Sequence, residues 1–199
     1  MPELITDFSP VSIKNASVQF IKGGVQDEGK KFGCMGTLEA ETEVAEKVKN
    51  CEGAIQTITI PKFMTVTVGA HVRRDVLRDI FGMKTEGFKP GIYSYGINSK
   101  GRRFVFTADV IDEFEDIKQL IAFSNCSNMV GMTVSIDNDA DEVPYVELEF
   151  RANADDKGEF YYEAFVDEVE DTVKEQWHTK FNSTLVSNGE DPETPPVEG

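Results

Sequence analysis

The run Asp137-Asn138-Asp139-Ala140-Asp141-Glu142 has the spacing best suited to metal chemistry in this chain, because it opens as D-x-D-x-D, the alternation by which a calcium loop presents its carboxylates. Such a loop needs glycine at its sixth position and a bidentate carboxylate at its twelfth, and here those positions hold Glu142 and Leu148. The run therefore reads as a solvated hairpin turn. His71 and His178 fall on different expected elements, with no serine, cysteine or metal motif around either to make them a general base or a ligand. Cys34, Cys51 and Cys126 show no C-x-x-C spacing, and an odd count leaves one unpaired under any disulfide scheme. They read as buried or half-buried thiols of a reducing compartment. Glycine-rich phosphate loops and a G-x-S-x-G elbow are absent. With 36 Asp and Glu in the chain, no single carboxylate pair stands out as an acid/base couple. The expectation is a chain with no catalytic residues, no cofactor and no metal.

The elements point to architecture instead. From Ile55 to Val72, IQTITIPKFMTVTVGAHV, two residue classes alternate: Ile58, Ile60, Met64, Val66, Val68, Ala70 and Val72 share one parity, and Thr57, Thr59, Phe63, Thr65, Thr67 and His71 the other. This is a strand pattern. At about 3.3 Å per residue it would span roughly 50 Å, far beyond an ordinary strand. Pro61 cannot donate to a ladder, so it is expected to mark where the strand leaves the sheet and becomes a projecting loop. The preceding segment reads as a strand as far as Val48, paired with this one across a turn at Asn50–Gly53. Further strands are expected over Val11–Ile21, Phe104–Val110, Ile117–Phe123, Met129–Ile136, Val146–Ala152 and Phe160–Val166, with Met129–Ile136 and Val146–Ala152 adjacent in a meander. Val76, Leu77, Ile80 and Phe81 fall at helical spacing before Gly82, which predicts a helix over about 73–82. A short C-terminal helix within 169–181 would dock through Val173, Trp177 and Phe181.

A length of 199 residues with 40% apolar content supports one domain with a real core. The division read from the chain is an arm over 1–10, a domain over 11–185, and an acidic, proline-rich tail over 186–199 with too little apolar surface to fold. No run approaches the roughly eighteen apolar residues of a membrane span, and the N-terminus lacks a secretory pattern, so a soluble, cytoplasmically made protein is expected. The net charge of −16 is uneven: residues 1–136 carry 17 acidic and 16 basic side chains, residues 137–199 carry 19 and 4. Such a surface repels phosphate backbones.

The segments FGCMGTLEAETEVAEKVKNCEGA, TVTVGAHVRRDVLRDIFGM, KPGIYSYGINSKGRRFVFTADVIDEFEDIKQLIAFSNCSN, PYVELEFRANADDKGEFYYEAFV and EQWHTKF, in that order over roughly residues 33–185, resemble the major tail tube proteins of long-tailed bacteriophages of Gram-positive bacteria. The resemblance implies a mainly β (α+β) fold of two packed antiparallel sheets, sandwich- or barrel-like, with one flanking helix. It also implies a structural, non-enzymatic virion protein, assembled in the host cytoplasm, whose homohexameric rings stack into the tail tube. Its partners would be further copies of itself, a tape-measure protein, and tail-terminator and baseplate proteins, with double-stranded DNA passing through unbound. Long strands with one apolar and one Thr-rich face suit a barrel wall, and like charge suits a conduit for DNA. Glu147 and Glu149, on an acidic parity, are the candidates to face the lumen. Glu46, Lys49, Asn50 and Pro61 are the candidates for an inter-ring loop. Two other readings are an inner-tube protein of a contractile tail or injection particle, and a β-sandwich binding module using Tyr93, Tyr95, Tyr161 and Tyr162 as a carbohydrate platform.

Overall fold

The computed structural model describes residues 5, 7–51, 54–114, 117–136 and 143–188. The strands are β1 (Pro10–Lys22), β2 (Val25–Gln26), β3 (Lys30–Lys31), β4 (Gly33–Cys51), β5 (Ala54–Val72), β6 (Arg103–Asp112), β7 (Lys118–Asn128), β8 (Val146–Ala152) and β9 (Tyr161–Phe165). The helices are α1 (Arg74–Phe81), α2 (Asp171–Trp177) and α3 (Ser183–Val186). All pairings are antiparallel within one nine-stranded sheet of order β2-β1-β6-β7-β8-β5-β4, with β3 beside β1 and β9 beside β7. The mainly β class is as the alternation predicts. The two expected sheets are instead two arms of one sheet.

The arms part at Asn125. Up to Phe123, β7 pairs its far edge with β9, and from Cys126 it pairs with β8. Between them Asn125 takes a left-handed backbone (φ 45), a conformation whose steric cost asparagine tolerates better than most residues. Its side chain secures the bend by donating to the Ala154 carbonyl at 2.9 Å and accepting from Arg103 at 3.2 Å. The sheet thereby closes over a core of Phe104, Phe106, Phe123, Phe150, Val66 and Val68. Phe150 packs its ring 5.3 Å from Phe104 and 5.4 Å from Phe106. Burying each such side chain contributes about 1.5–3 kcal/mol, so this contact ties the arms together alongside the β7–β8 pairing.

Helix α1 covers one end of that core with Val76, Ile80 and Phe81. It stops where its sequence says, at Gly82, whose left-handed backbone (φ 63) returns its N–H to the Arg78 and Asp79 carbonyls. The opposite face of the first arm is covered by the C-terminal segment, where Trp177 and Phe181 pack on Val105, Leu120 and Ala122. That is the docking expected of the second helix.

Met129–Ile136 is not a strand, which corrects the alternation reading. Both edges of β8 are already engaged: β5 pairs along all of it, and β7 takes Phe150–Ala152. On that second edge only Val146–Glu149 stays open, and the segment meets it through the Met129 N–H on the Glu149 carbonyl at 3.0 Å, while Val134 and Ile136 lie exposed. The acidic run 137–142 and the tail 189–199 lie outside the described residues. Among the described residues no helix is long and apolar enough to cross a membrane.

Candidate functional site

The exposed face of the β8-β5-β4 arm gathers acid from two distant parts of the chain. Register sets Glu149 opposite Thr67 and Glu147 opposite Gly69, while Glu39, Glu41 and Glu43 of β4 stand opposite Thr67, Thr65 and Phe63. Because side chains alternate, these glutamates share one face, and Val66, Val68, Leu148 and Phe150 share the buried one. Sequence reasoning named Glu147 and Glu149 from the acidic parity of their strand, and register puts both on this face. It missed Glu39, Glu41 and Glu43, whose odd parity in EAETE was the available signal. Arg151 adds a cation to this face, its guanidinium 3.9 Å from the Phe63 ring.

Beyond Met64, β5 loses β8 as a neighbour, yet its pairing with β4 runs on to Cys51 and Ala54. The stretch past Pro61 is therefore a paired two-stranded hairpin, and not the loop that proline suggested. A bulge at Glu43/Val44 leaves Lys62 as the extra residue, between Phe63 (opposite Glu43) and Pro61 (opposite Val44). One extra residue exchanges faces. Ile58 and Ile60, which share parity with the core residues Val66 and Val68, stand opposite Lys47 and Ala45 on the acidic side of the hairpin. Val44, Val48, Ile58 and Ile60 remain 43%, 65%, 52% and 38% exposed. Of the loop candidates, Glu46 pairs with Thr59 and Lys49 with Gln56, Asn50 is opposite Ile55 near the tip, and Pro61 sits in the bulge.

At the other end of the same face Tyr145 is seated flat. A Cβ on Gly36 would stand 2.6 Å from its ring, so glycine is what admits it. Its other neighbour is the His71 ring, 4.6 Å away. The Tyr145 side chain is held from below yet stays half-exposed. Beside it a cleft of about 480 Å³ runs between β8 and the 130–135 segment, with Val130, Phe81, Glu147 and Glu149 in its lining.

His178 has close partners after all. Its Nε2 lies 2.7 Å from Asp109 Oδ1 and its Nδ1 2.9 Å from Thr107 Oγ1. This is the order of a hydroxyl–imidazole–carboxylate relay, but Thr107 is fully buried and cannot meet a substrate. The arrangement fastens the C-terminal segment: Ser17 donates to the His178 carbonyl at 2.7 Å, Gln19 to the Trp177 carbonyl at 3.1 Å, and Gln26 to the Phe181 carbonyl at 2.7 Å. Burial pushes the Asp109 carboxyl up, but hydrogen bonds from His178 and Asn15 and the charges of His178 and Lys118 outweigh it and hold the group below its ordinary value.

The tyrosines do not form a platform. Tyr93 lies under the Arg78 guanidinium at 3.5 Å, Tyr95 meets Phe81 edge-on, Tyr161 packs on Phe123 and Tyr162 on Phe181. Cys126 is buried as expected, and burial pushes its thiol far up, whereas Cys34 is exposed, since the edge strand β4 leaves its outer face uncovered. Among the described residues no three of His, Cys, Asp and Glu are grouped to hold a metal.

No family model matches this sequence, and no curated protein does. Among solved structures, the chain is similar to a chain in the cryo-EM structure of the anti-feeding prophage cap (AFP tube terminating cap), at 11% identity and TM-score 0.42 over 81% of this chain and 95% of that one. It is similar at 10% identity and TM-score 0.42 to a chain in the 6-fold symmetrised anti-feeding prophage baseplate, over 80% of this chain and 97% of that one. At these identities and TM-scores neither likeness fixes a fold or a function for this chain.

Proposed function

We propose that the chain is the tube-forming subunit of a bacteriophage-type tail, a structural protein without catalytic chemistry. Copies close into rings, six to a ring as the sequence resemblance implies, and the rings stack into a tube through which DNA leaves the particle. The acidic face of β4, β5 and β8 lines the lumen, so that Glu39, Glu41, Glu43, Glu147 and Glu149 repel the phosphate backbone and let it slide. The observation that carries this reading is the hairpin beyond Met64, paired to its tip with apolar residues uncovered on both faces. A lone monomer has no use for such a surface, and a second copy covers it. A tape-measure protein and the proteins at either end of the tube are the further partners that this role requires.

Electron microscopy of the concentrated protein, across salt and with tail-initiating components added, is expected to show rings and tubes. Monomers alone under all of these conditions would overturn the proposal. A tube inside a contractile sheath needs the same subunit geometry, and a sheath protein encoded beside this one separates the two tail types. The carbohydrate-binding alternative predicts hits in a glycan screen, and none are expected from tyrosines already packed against other side chains.

A further inference from the structure

We infer that residues 129–132 are a latent extension of β7, held off the open edge of β8 by the Asn128 side chain. The register already in place prescribes the extension. Cys126, Ser127 and Asn128 face Ala152, Arg151 and Phe150, so the next pairs are Met129 with Glu149, Val130 with Leu148, Gly131 with Glu147 and Met132 with Val146. The first of these has its bond, from the Met129 N–H to the Glu149 carbonyl at 3.0 Å. Burial alternates as in a strand as well: Val130 and Met132 are half-buried, Met132 against the main core, while Met129, Gly131 and Thr133 are exposed. Yet the chain bends at Val130, and the ladder stops.

Asn128 stops it. Its Nδ2 donates to the Val130 carbonyl at 2.6 Å. In an extended strand that carbonyl lies in the plane of the sheet and points away from β8, beyond reach of a side chain two residues back. The bond therefore forms only with the peptide turned out of the plane. Because the Val130–Gly131 peptide is planar and trans, the Gly131 N–H turns with the carbonyl and loses its aim at Glu147. The lock is poorly balanced: Asn128 Oδ1 is buried and meets no protein donor among the described residues, a cost that the bent form carries. A cavity of about 210 Å³ beside Asn128, with Tyr95, Ser99 and Arg102 in its lining, gives the side chain room to turn away. Gly131, without a Cβ, sets little resistance to rotating the peptide back. Gly131 and Glu147 then exchange two backbone bonds, and the cleft between β8 and the segment closes. Open, the edge of β8 offers the Glu147 N–H and carbonyl to a strand of another chain; closed, it does not. Asn128 thereby sets how long that edge is available.

Amide hydrogen exchange in the full chain, read residue by residue by NMR below the concentration at which copies associate, tests the lock. Asn128→Val and Asn128→Ala each remove the donor, and the second keeps the test open if a branched side chain does not fit beside Phe150. Either variant, with a melting temperature at or above the parent's, is expected to slow exchange at Gly131 and Glu147 by about tenfold or more, with the core amides of β6 unchanged. Adding Gly131→Pro, which has no N–H to give, should return Glu147 to the parent rate. Folded variants that exchange at both sites as the parent does would overturn the inference. Glu147 protection that survives Gly131→Pro would overturn it as well, by assigning the effect to general stiffening. Equal protection already present at both sites in the parent would do the same, since the lock would then hold nothing open. None of these outcomes bears on the tube reading, which is tested by assembly.

Discussion

Asp109 is 3% exposed and holds His178, Asn15 and Lys118 around it. Asp109→Ala strands those donors under the C-terminal segment and should cost about 2–4 kcal/mol, read by urea unfolding followed through the fluorescence of Trp177, the one tryptophan. The sign of its pH dependence follows from its lowered pKa. The stabilisation is complete above the unfolded carboxyl value of about 3.9 and is lost as pH falls through the lower folded one, so Asp109→Asn should flatten the stability curve below about pH 4. Gly82→Ala places a Cβ against the Lys100 carbonyl at a left-handed position and should cost about 1–3 kcal/mol in the same assay. None of these roles for His178 was legible in the sequence. Its partners lie 71 and 69 residues away, and only the fold of β6 beneath the last segment brings them together.

At the scale of elements, alternation located β1, β5, β6 and β8 within two residues of their bounds, and β7 as far as Phe123 but not through the bend at Asn125 to Asn128, because each buries one face or both against a neighbour. It failed in two places for one reason. Parity records which face a side chain would take if a partner strand were present and in register, and it is blind to both conditions. Met129–Ile136 alternates but has no partner, and the run from Ile55 alternates through Pro61 although the bulge at Lys62 exchanges its faces. Inserting one residue between Glu43 and Val44, opposite Lys62, should make the hairpin register continuous and carry Ile58 and Ile60 to the side of Val66. The expected result is a monomer whose melting temperature stays within about 3 °C, since these residues lie outside the core, but whose assembly is lost in sedimentation velocity.

For the whole molecule, the sequence located the acidity in the last third, and register then set β8 of that third across β5 from the glutamates of β4. Composition carries no information on such neighbours, so the full acidic face became visible only with the strand order. Two consequences are measurable together. Double-stranded DNA should show no retention on the protein at physiological salt, and the repulsion that keeps it off should shorten in range as salt rises from about 0.1 to 1 M, where the Debye length falls from about 10 to 3 Å.

The uncovered hairpin also tells the age of a subunit. Lys47, Lys49 and Lys62 stand in a two-stranded ribbon that has no core beneath it, so in a newly made, unassembled chain they are the natural cutting points for a trypsin-like protease. Once covered by the next ring they should resist it. Brief trypsin digestion followed by mass spectrometry would then report the assembled fraction of a population directly, with early cleavage after these lysines in monomer and protection in tube. A cell's own proteases would apply the same test, clearing the subunits that no tail has taken up.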